Sequence, residues 1–220
     1  MIRYHEIMTM LEEGEGLTVE FKRKVSSPEK IARELIAFAN TRGGVILFGI
    51  DDDKSIVGVE SEKAEMDEVE QALHGLIDPP IDYEVRIFGM GGHDVIAVKV
   101  PESERKPHFL DNGSGERVAY VRVGEASVQA SKEMVRVLRH QYGPSEPVRL
   151  VIGEAERRLF AWFERNQRIT VKEYAKLINV SERRATRLLV RLVRAGALAI
   201  HTGEKTDYFT AIDLGTGTDR

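Results

Sequence analysis

The chain has 220 residues, is 42% hydrophobic and 31% charged, carries a net charge of −4 and contains no cysteine. Disulfides, zinc–thiolate centres and cysteine nucleophiles are therefore excluded, and no apolar run approaches the roughly 18 residues needed to span a bilayer. Met1-Ile2-Arg3-Tyr4-His5-Glu6 lacks the build of a signal peptide, so a cytoplasmic protein with no membrane partner is expected. The charge is unevenly spread. From Leu150 onward there are 13 basic and 9 acidic residues, whereas residues 1–149 hold 19 basic and 27 acidic. That asymmetry predicts two domains, the second being the better candidate for nucleic acid.

Residues 4–13 read as a short helix, broken at Gly14-Glu15-Gly16. Leu17 to Lys22 alternates apolar and polar, as a half-buried strand does. Ser27-Pro28-Glu29 is a helix start, with a Ser cap, Pro at the first helical position and an acid in the first turn. The helix runs through Leu35, Ile36 and Phe38 to Asn40-Thr41-Arg42-Gly43-Gly44. Val45 to Ile50 follows as a continuous apolar run, the mark of a strand buried on both faces. Asp51, Asp52 and Asp53 stand at its end, at the rim of a sheet where α/β sites form. Ile56 to Val59 reads as a returning strand, so residues 45–59 are expected to form a hairpin.

Met66, Val69, Leu73, Leu76 and Ile77 define an amphipathic helix over 62–77, closed by Asp78-Pro79-Pro80. Strands are predicted at 83–87, 95–100 and 117–123, and a helix at 131–142. Gly143-Pro144-Ser145-Glu146-Pro147 then reads as an interdomain linker. Beyond it, helices are expected at 154–166, 171–178 and 181–195. Two short strands, 197–200 and 208–212, flank Gly203 to Asp207 as a wing. This is the element order of a winged helix.

Two constellations can carry chemistry. Glu15, Glu20, Lys22 and Asp52 form the first. Glu20 and Lys22 share a strand face; carboxylates converging near one ammonium can hold Mg²⁺ or Mn²⁺ and orient water toward a phosphate. Equally, they can be a solvated rim of ordinary ion pairs. Strand alternation lets only one of Asp51 and Asp52 point into such a site. The second constellation is the helix from Ser181, in which Arg183, Arg184, Arg187, Arg191 and Arg194 lie outside the stripe of Ala185, Leu188, Leu189, Leu192 and Val193. Arginines there can reach phosphates or guanine edges, and Lys205 in the wing can reach a backbone phosphate. A solvated basic face or a protein-interaction module is the competing reading. Arg3, Arg23, Lys24, Arg42, Arg105, Lys106 and Arg122 are further candidates for a nucleic-acid path on the first domain. The six histidines, His108 among them, show no metal spacing and read as surface or loop residues.

Glu15 and Glu20, Glu20-Phe21-Lys22, Ala37 to Gly44, Phe48-Gly49-Ile50-Asp51-Asp52, Val57-Gly58 and Tyr120 to Gly124 together resemble the Schlafen AlbA_2 domain, over about residues 10–140. The resemblance implies that Glu15, Glu20 and Asp52 correspond to the metal-binding carboxylates of RNA-cleaving members and Lys22 to the family's lysine. It implies a metal-dependent ribonuclease using Mg²⁺ or Mn²⁺ as one reading. The members joined to a helix-turn-helix are described instead as DNA-binding transcriptional regulators. The chain departs from the vertebrate nucleases, which carry two lobes and a Cys/His zinc site; it has one lobe, which a homodimer can double, and no Cys. Some members are labelled divergent ATPases, but there is no G-x-x-x-x-G-K-[ST] here.

The expectation is an α+β chain: a Schlafen AlbA_2-like mixed α/β domain over 1–142, a linker over 143–149, a winged helix over 150–214 and a tail over 215–220. DNA is the expected partner and RNA the alternative, with the first domain serving dimerisation or sensing. A non-catalytic interaction module is the third reading.

Overall fold

The computed structural model describes residues 1–111, 113, 115–141, 152–203 and 206–212. The expected linker at 143–149, the tail and Lys205 lie outside the described residues. The architecture is α+β, and the chain divides into two compact units, Met1–Ala130 and Ser131–Arg220.

In the first unit the elements run α1 (Tyr4–Glu13), β1 (Val19–Lys22), α2 (Pro28–Asn40), β2 (Gly43–Phe48), α3 (Glu62–Gly75), β3 (Ile77–Asp78), β4 (Glu84–Met90), β5 (His93–Pro101), β6 (Phe109–Asp111), β7 (Arg117–Val118), β8 (Tyr120–Val123) and β9 (Ala126–Gln129). The main sheet has the order β1-β2-β5-β4, with β1 parallel to β2 and the other pairs antiparallel. Strand alternation divides the core. Ile46 and Phe48 pack with Ile96, Val98, α2 and α3, while Val45 and Leu47 pack with Val95, Ala97, Phe21 and α1. Each such side chain contributes about 1.5–3 kcal/mol when fully buried, which is why β2 reads as an unbroken apolar run.

The turn from α2 into β2 depends on both glycines. Gly43 has φ 72°, a conformation that L side chains avoid, and a Cβ on Gly44 would lie 2.3 Å from the Phe38 ring. Asn40 completes the junction. Its Nδ2 donates to the carbonyls of His108 and Tyr120, each at 3.0 Å, and its Oδ1 accepts from the His108 amide at 2.8 Å.

The expected hairpin at 45–59 does not form, because both edges of β2 are taken by β1 and β5. Gly49, with φ 93°, ends the strand, and the returning segment makes one bridge, Ile50 to Ile56. Val57 and Gly58 then donate their amides to the Gly49 carbonyl, each at 2.9 Å. The single strand expected at 117–123 is likewise two, since β7 joins β6 and β3 whereas β8 pairs with β9.

The second unit begins with α4 (Lys132–Gln141), followed by α5 (Glu154–Phe163), α6 (Val171–Ile178), α7 (Glu182–Arg194), β10 (Leu198–His201) and β11 (Tyr208–Ala211). Its core gathers Leu159, Ile169, Tyr174, Ala185, Leu189, Leu192, Leu198 and Phe209. Thr170 and Glu173 form a capping box on α6, Asn179 closes that helix in the left-handed conformation, and Ser181 caps α7. β10 and β11 pair as an antiparallel hairpin, and Ile169 bridges to Phe209.

The division between units falls at Ser131, twelve residues before the expected end of the first domain. The reason is apolar packing: α4 lies against α7, burying its own Val137 and Leu138, and Thr186 and Val190 of α7 are buried as well. Ser131 caps α4, accepting from the Met134 amide at 2.9 Å, and its hydroxyl donates to Asp207. Burial pushes the Asp207 carboxyl up from its ordinary value.

Candidate functional site

β1 brings Glu20 and Lys22 onto the face opposite Val19 and Phe21, which enter the α1-side core. Glu20 is buried there, and its two oxygens are both engaged. Oε1 accepts from Lys22 Nζ, and Oε2 accepts from Arg122 at 3.1 Å. Arg122 arrives from β8 with a side chain of zero exposure. It also donates to Glu34 Oε2 of α2 at 2.8 Å, to Ser127 Oγ of β9 at 3.2 Å and to the Gly16 carbonyl at 2.7 Å, and it lies over the Phe38 ring at 4.7 Å. Ser127 in turn donates to Glu34. Arg122 Nε is buried without a hydrogen-bond acceptor among the described residues. The cluster thus ties β1, α2 and the β8–β9 hairpin together through charge-assisted hydrogen bonds, which are about twice as strong as neutral ones.

Glu15 and Asp52 are used differently. Glu15 Oε1 accepts from the Phe21 amide at 2.8 Å, which fixes the Gly14-Glu15-Gly16 bend against β1. Asp52 is exposed in the turn after β2, where its amide donates to Asp51 Oδ1 at 3.0 Å, and Asp51 pairs with Arg23 at 2.8 Å. Among the described residues, no three His, Asp or Glu side chains form a group suited to a metal ion.

Two of the seven basic residues considered for a nucleic-acid path on this unit are internal. Besides Arg122, Lys106 is buried, with Nζ donating to the Thr41 carbonyl at 2.8 Å and to Glu102 at 2.6 Å; burial lowers its pKa. Arg3, Arg23, Lys24, Arg42 and Arg105 are exposed. His108 is not a surface residue either. It is fully buried, with Nδ1 against the Pro79 carbonyl and Nε2 against Ser103 Oγ, both at 2.6 Å, and burial holds its pKa below the ordinary histidine value.

On α7, Ala185, Leu189 and Leu192 enter the core and Thr186 and Val190 are buried beside them. Arg183, Arg184, Arg187 and Arg194 are exposed, and they form no ion pair among the described residues. Arg191 is different. Its guanidinium pairs with Glu156 Oε1 of α5 at 2.5 Å, and that carboxylate is buried. Glu156 also accepts from the Gly153 amide at 3.0 Å. Nearby, Tyr174 donates to the Ala155 carbonyl, and burial reinforced by the Glu156 charge pushes its pKa up to about 12.

Sequence reasoning singled out Glu20 and Lys22 but missed Glu34 and Ser127 and placed Arg122 at the surface. An arginine alternating with Val121 and Val123 on a strand carries no signal of burial. Its partners Glu20 and Glu34 lie 102 and 88 residues away.

Residues 15–131 match the family model described as Schlafen, AlbA_2. An uncharacterized ATP-binding protein of Ureaplasma parvum is 31% identical over 128 residues, and the match spans 49% of this chain but only 36% of that protein. Two solved structures are similar with TM-scores below 0.5. One is the DIP2311 protein from Corynebacterium diphtheriae, with TM-score 0.47 and 19% identity, covering 66% of this chain and 34% of the other. The second is the N-terminal domain of a RecG-related protein from Nitrosomonas europaea, with TM-score 0.43 and 24% identity, covering 60% and 95% respectively. No helix among the described residues is long and apolar enough to cross a membrane. With more than half of its length inside the family model, the chain belongs to the Schlafen AlbA_2 family.

Proposed function

We propose that the protein is a DNA-binding transcriptional regulator, in which the second unit is a winged helix that docks α7 in the major groove. The Schlafen-like unit serves dimerisation or sensing in this reading. The observation that carries it is the open arginine face: Arg183, Arg184 and Arg187 project from the first two turns of a Ser-capped helix without carboxylate partners among the described residues. Arginines at the N-terminal end of a recognition helix reach base edges and phosphates. The bridge between Ile169 and Phe209 and the β10–β11 hairpin supply the small sheet that such a scaffold uses for its wing. A homodimer would present two copies of α7 to a pseudo-palindromic site.

The reading is tested by fluorescence anisotropy of labelled duplex DNA across a salt series. Log affinity should fall linearly with log salt, and Arg184→Ala or Arg187→Ala should reduce the slope by about one phosphate contact each. Unchanged binding in both variants sinks the assignment of α7. The alternative, a divalent-metal ribonuclease with Glu15, Glu20, Lys22 and Asp52 at its centre, has weaker support, because Glu20 is committed to Lys22 and Arg122 and Asp52 stands apart in an exposed turn.

A further inference from the structure

The family resemblance implies a divalent cation on Glu15, Glu20 and Asp52, and the donors in this chain do not fit one. Mg²⁺ takes near-octahedral oxygen ligation, in which carboxylate lone pairs must face the ion. Both Glu20 oxygens instead face N–H donors, from Lys22 and from Arg122. One Glu15 oxygen is spent on the Phe21 amide, and Asp52 belongs to an exposed turn. The two cations already beside Glu20, Arg122 and Lys22, occupy the directions a metal ion would need. Arg122 is held by oxygens on β1, α2 and β9, by the Gly16 carbonyl and by the Phe38 ring, with no exposed side-chain surface through which to leave.

We infer that Arg122 is the resident cation of this cluster: a guanidinium neutralises Glu20 and Glu34 where the family's nucleases would hold a metal. The carboxylates therefore serve to clamp the β8–β9 hairpin onto α2 and β1, independently of whether the second unit binds DNA. The unpartnered Arg122 Nε–H, shielded from solvent, offers a direct probe.

The test is ¹⁵N NMR of the uniformly labelled wild-type chain, with the Arg122 Nε–H signal assigned by its loss in Arg122→Lys. The expected result is a slowly exchanging signal that stays in place as Mg²⁺ is raised to millimolar levels. A shift confined to the Asp51–Asp53 amides is equally consistent, because it reports the exposed turn alone. A saturable shift of the Arg122 signal overturns the inference. As a second readout, the midpoint of thermal unfolding is followed with Mn²⁺ in wild type and in Glu20→Gln. The two should respond alike; Mn²⁺ stabilisation present in wild type and lost in the variant also overturns it. Should Glu20→Gln fail to fold, the NMR titration decides on the wild-type chain.

Discussion

Arg122 in the first unit and Arg187 in the second both project from regular elements, yet the protein treats them in opposite ways. Arg122 has no exposed side-chain surface and four oxygen acceptors; Arg187 is exposed and forms no ion pair among the described residues. The difference lies in where each element's charge is compensated. On β8 the compensation is internal, so the guanidinium becomes part of the packing and is unavailable to a partner. On α7 the apolar stripe packs the helix, and Arg183, Arg184, Arg187 and Arg194 outside it form no ion pair among the described residues, in contrast to Arg191. A buried cation of the first kind stabilises only as long as its partners stay, whereas the second kind is free to exchange water and counterions for phosphates.

The sharpest way to break this contrast is Arg122→Ala. It leaves Glu20 and Glu34 facing each other in a buried cluster with Lys22 as the remaining cation, and should cost about 3–5 kcal/mol of stability in urea unfolding. A loss below about 1 kcal/mol would place Arg122 with the surface arginines. Next in size is Gly44→Ala, whose Cβ would meet the Phe38 ring that supports the Arg122 guanidinium. A displaced core aromatic should cost about 1–3 kcal/mol.

Arg191 tests the same contrast within one helix. Arg191→Ala leaves the buried Glu156 carboxylate without its cation and should destabilise by about 1–3 kcal/mol. Arg187→Ala, by comparison, should change stability by less than about 0.5 kcal/mol while weakening DNA binding. Equal stability losses for the pair would remove the distinction between clamp and reader on α7.

Acidification offers a subtler probe of the first unit. His108 is buried and neutral, with its folded pKa below the unfolded value of 6.5. Its contribution is therefore intact above that value and is lost as pH falls from there toward the folded pKa, because the unfolded chain takes up the proton first. Unfolding free energy measured between pH 7 and pH 5 should decline, and the decline should be shallower in His108→Gln. An identical slope in the two proteins would assign the acid sensitivity elsewhere.

What could be read from the sequence divides along similar lines. The α2–β2 junction was legible because its information is local: a Ser-Pro start, a double glycine and an apolar run. The α7 stripe was legible because five arginines and five apolar residues separate by helical period. Partnerships across long stretches of chain were not. Nothing in Glu20-Phe21-Lys22 says that an arginine 102 residues later will occupy the carboxylate, and nothing in Ile56 to Val59 says that β5 and β1 will already hold both edges of β2. The placement of α4 with the second unit was hidden for a related reason, since an amphipathic helix specifies that it packs but not against which core.

The Asn40 side chain carries a consequence for how the protein ages. Its carboxamide uses two N–H donors and one oxygen to stand in for a strand partner of the His108 and Tyr120 backbone. Spontaneous deamidation would replace it with an aspartate of nearly the same shape and with acceptors only. Two carbonyl oxygens would then confront a carboxylate, at the point where the end of α2 holds segments 68 and 80 residues further along the chain. A change of one mass unit would thus weaken this junction, at a side chain that the fold keeps buried.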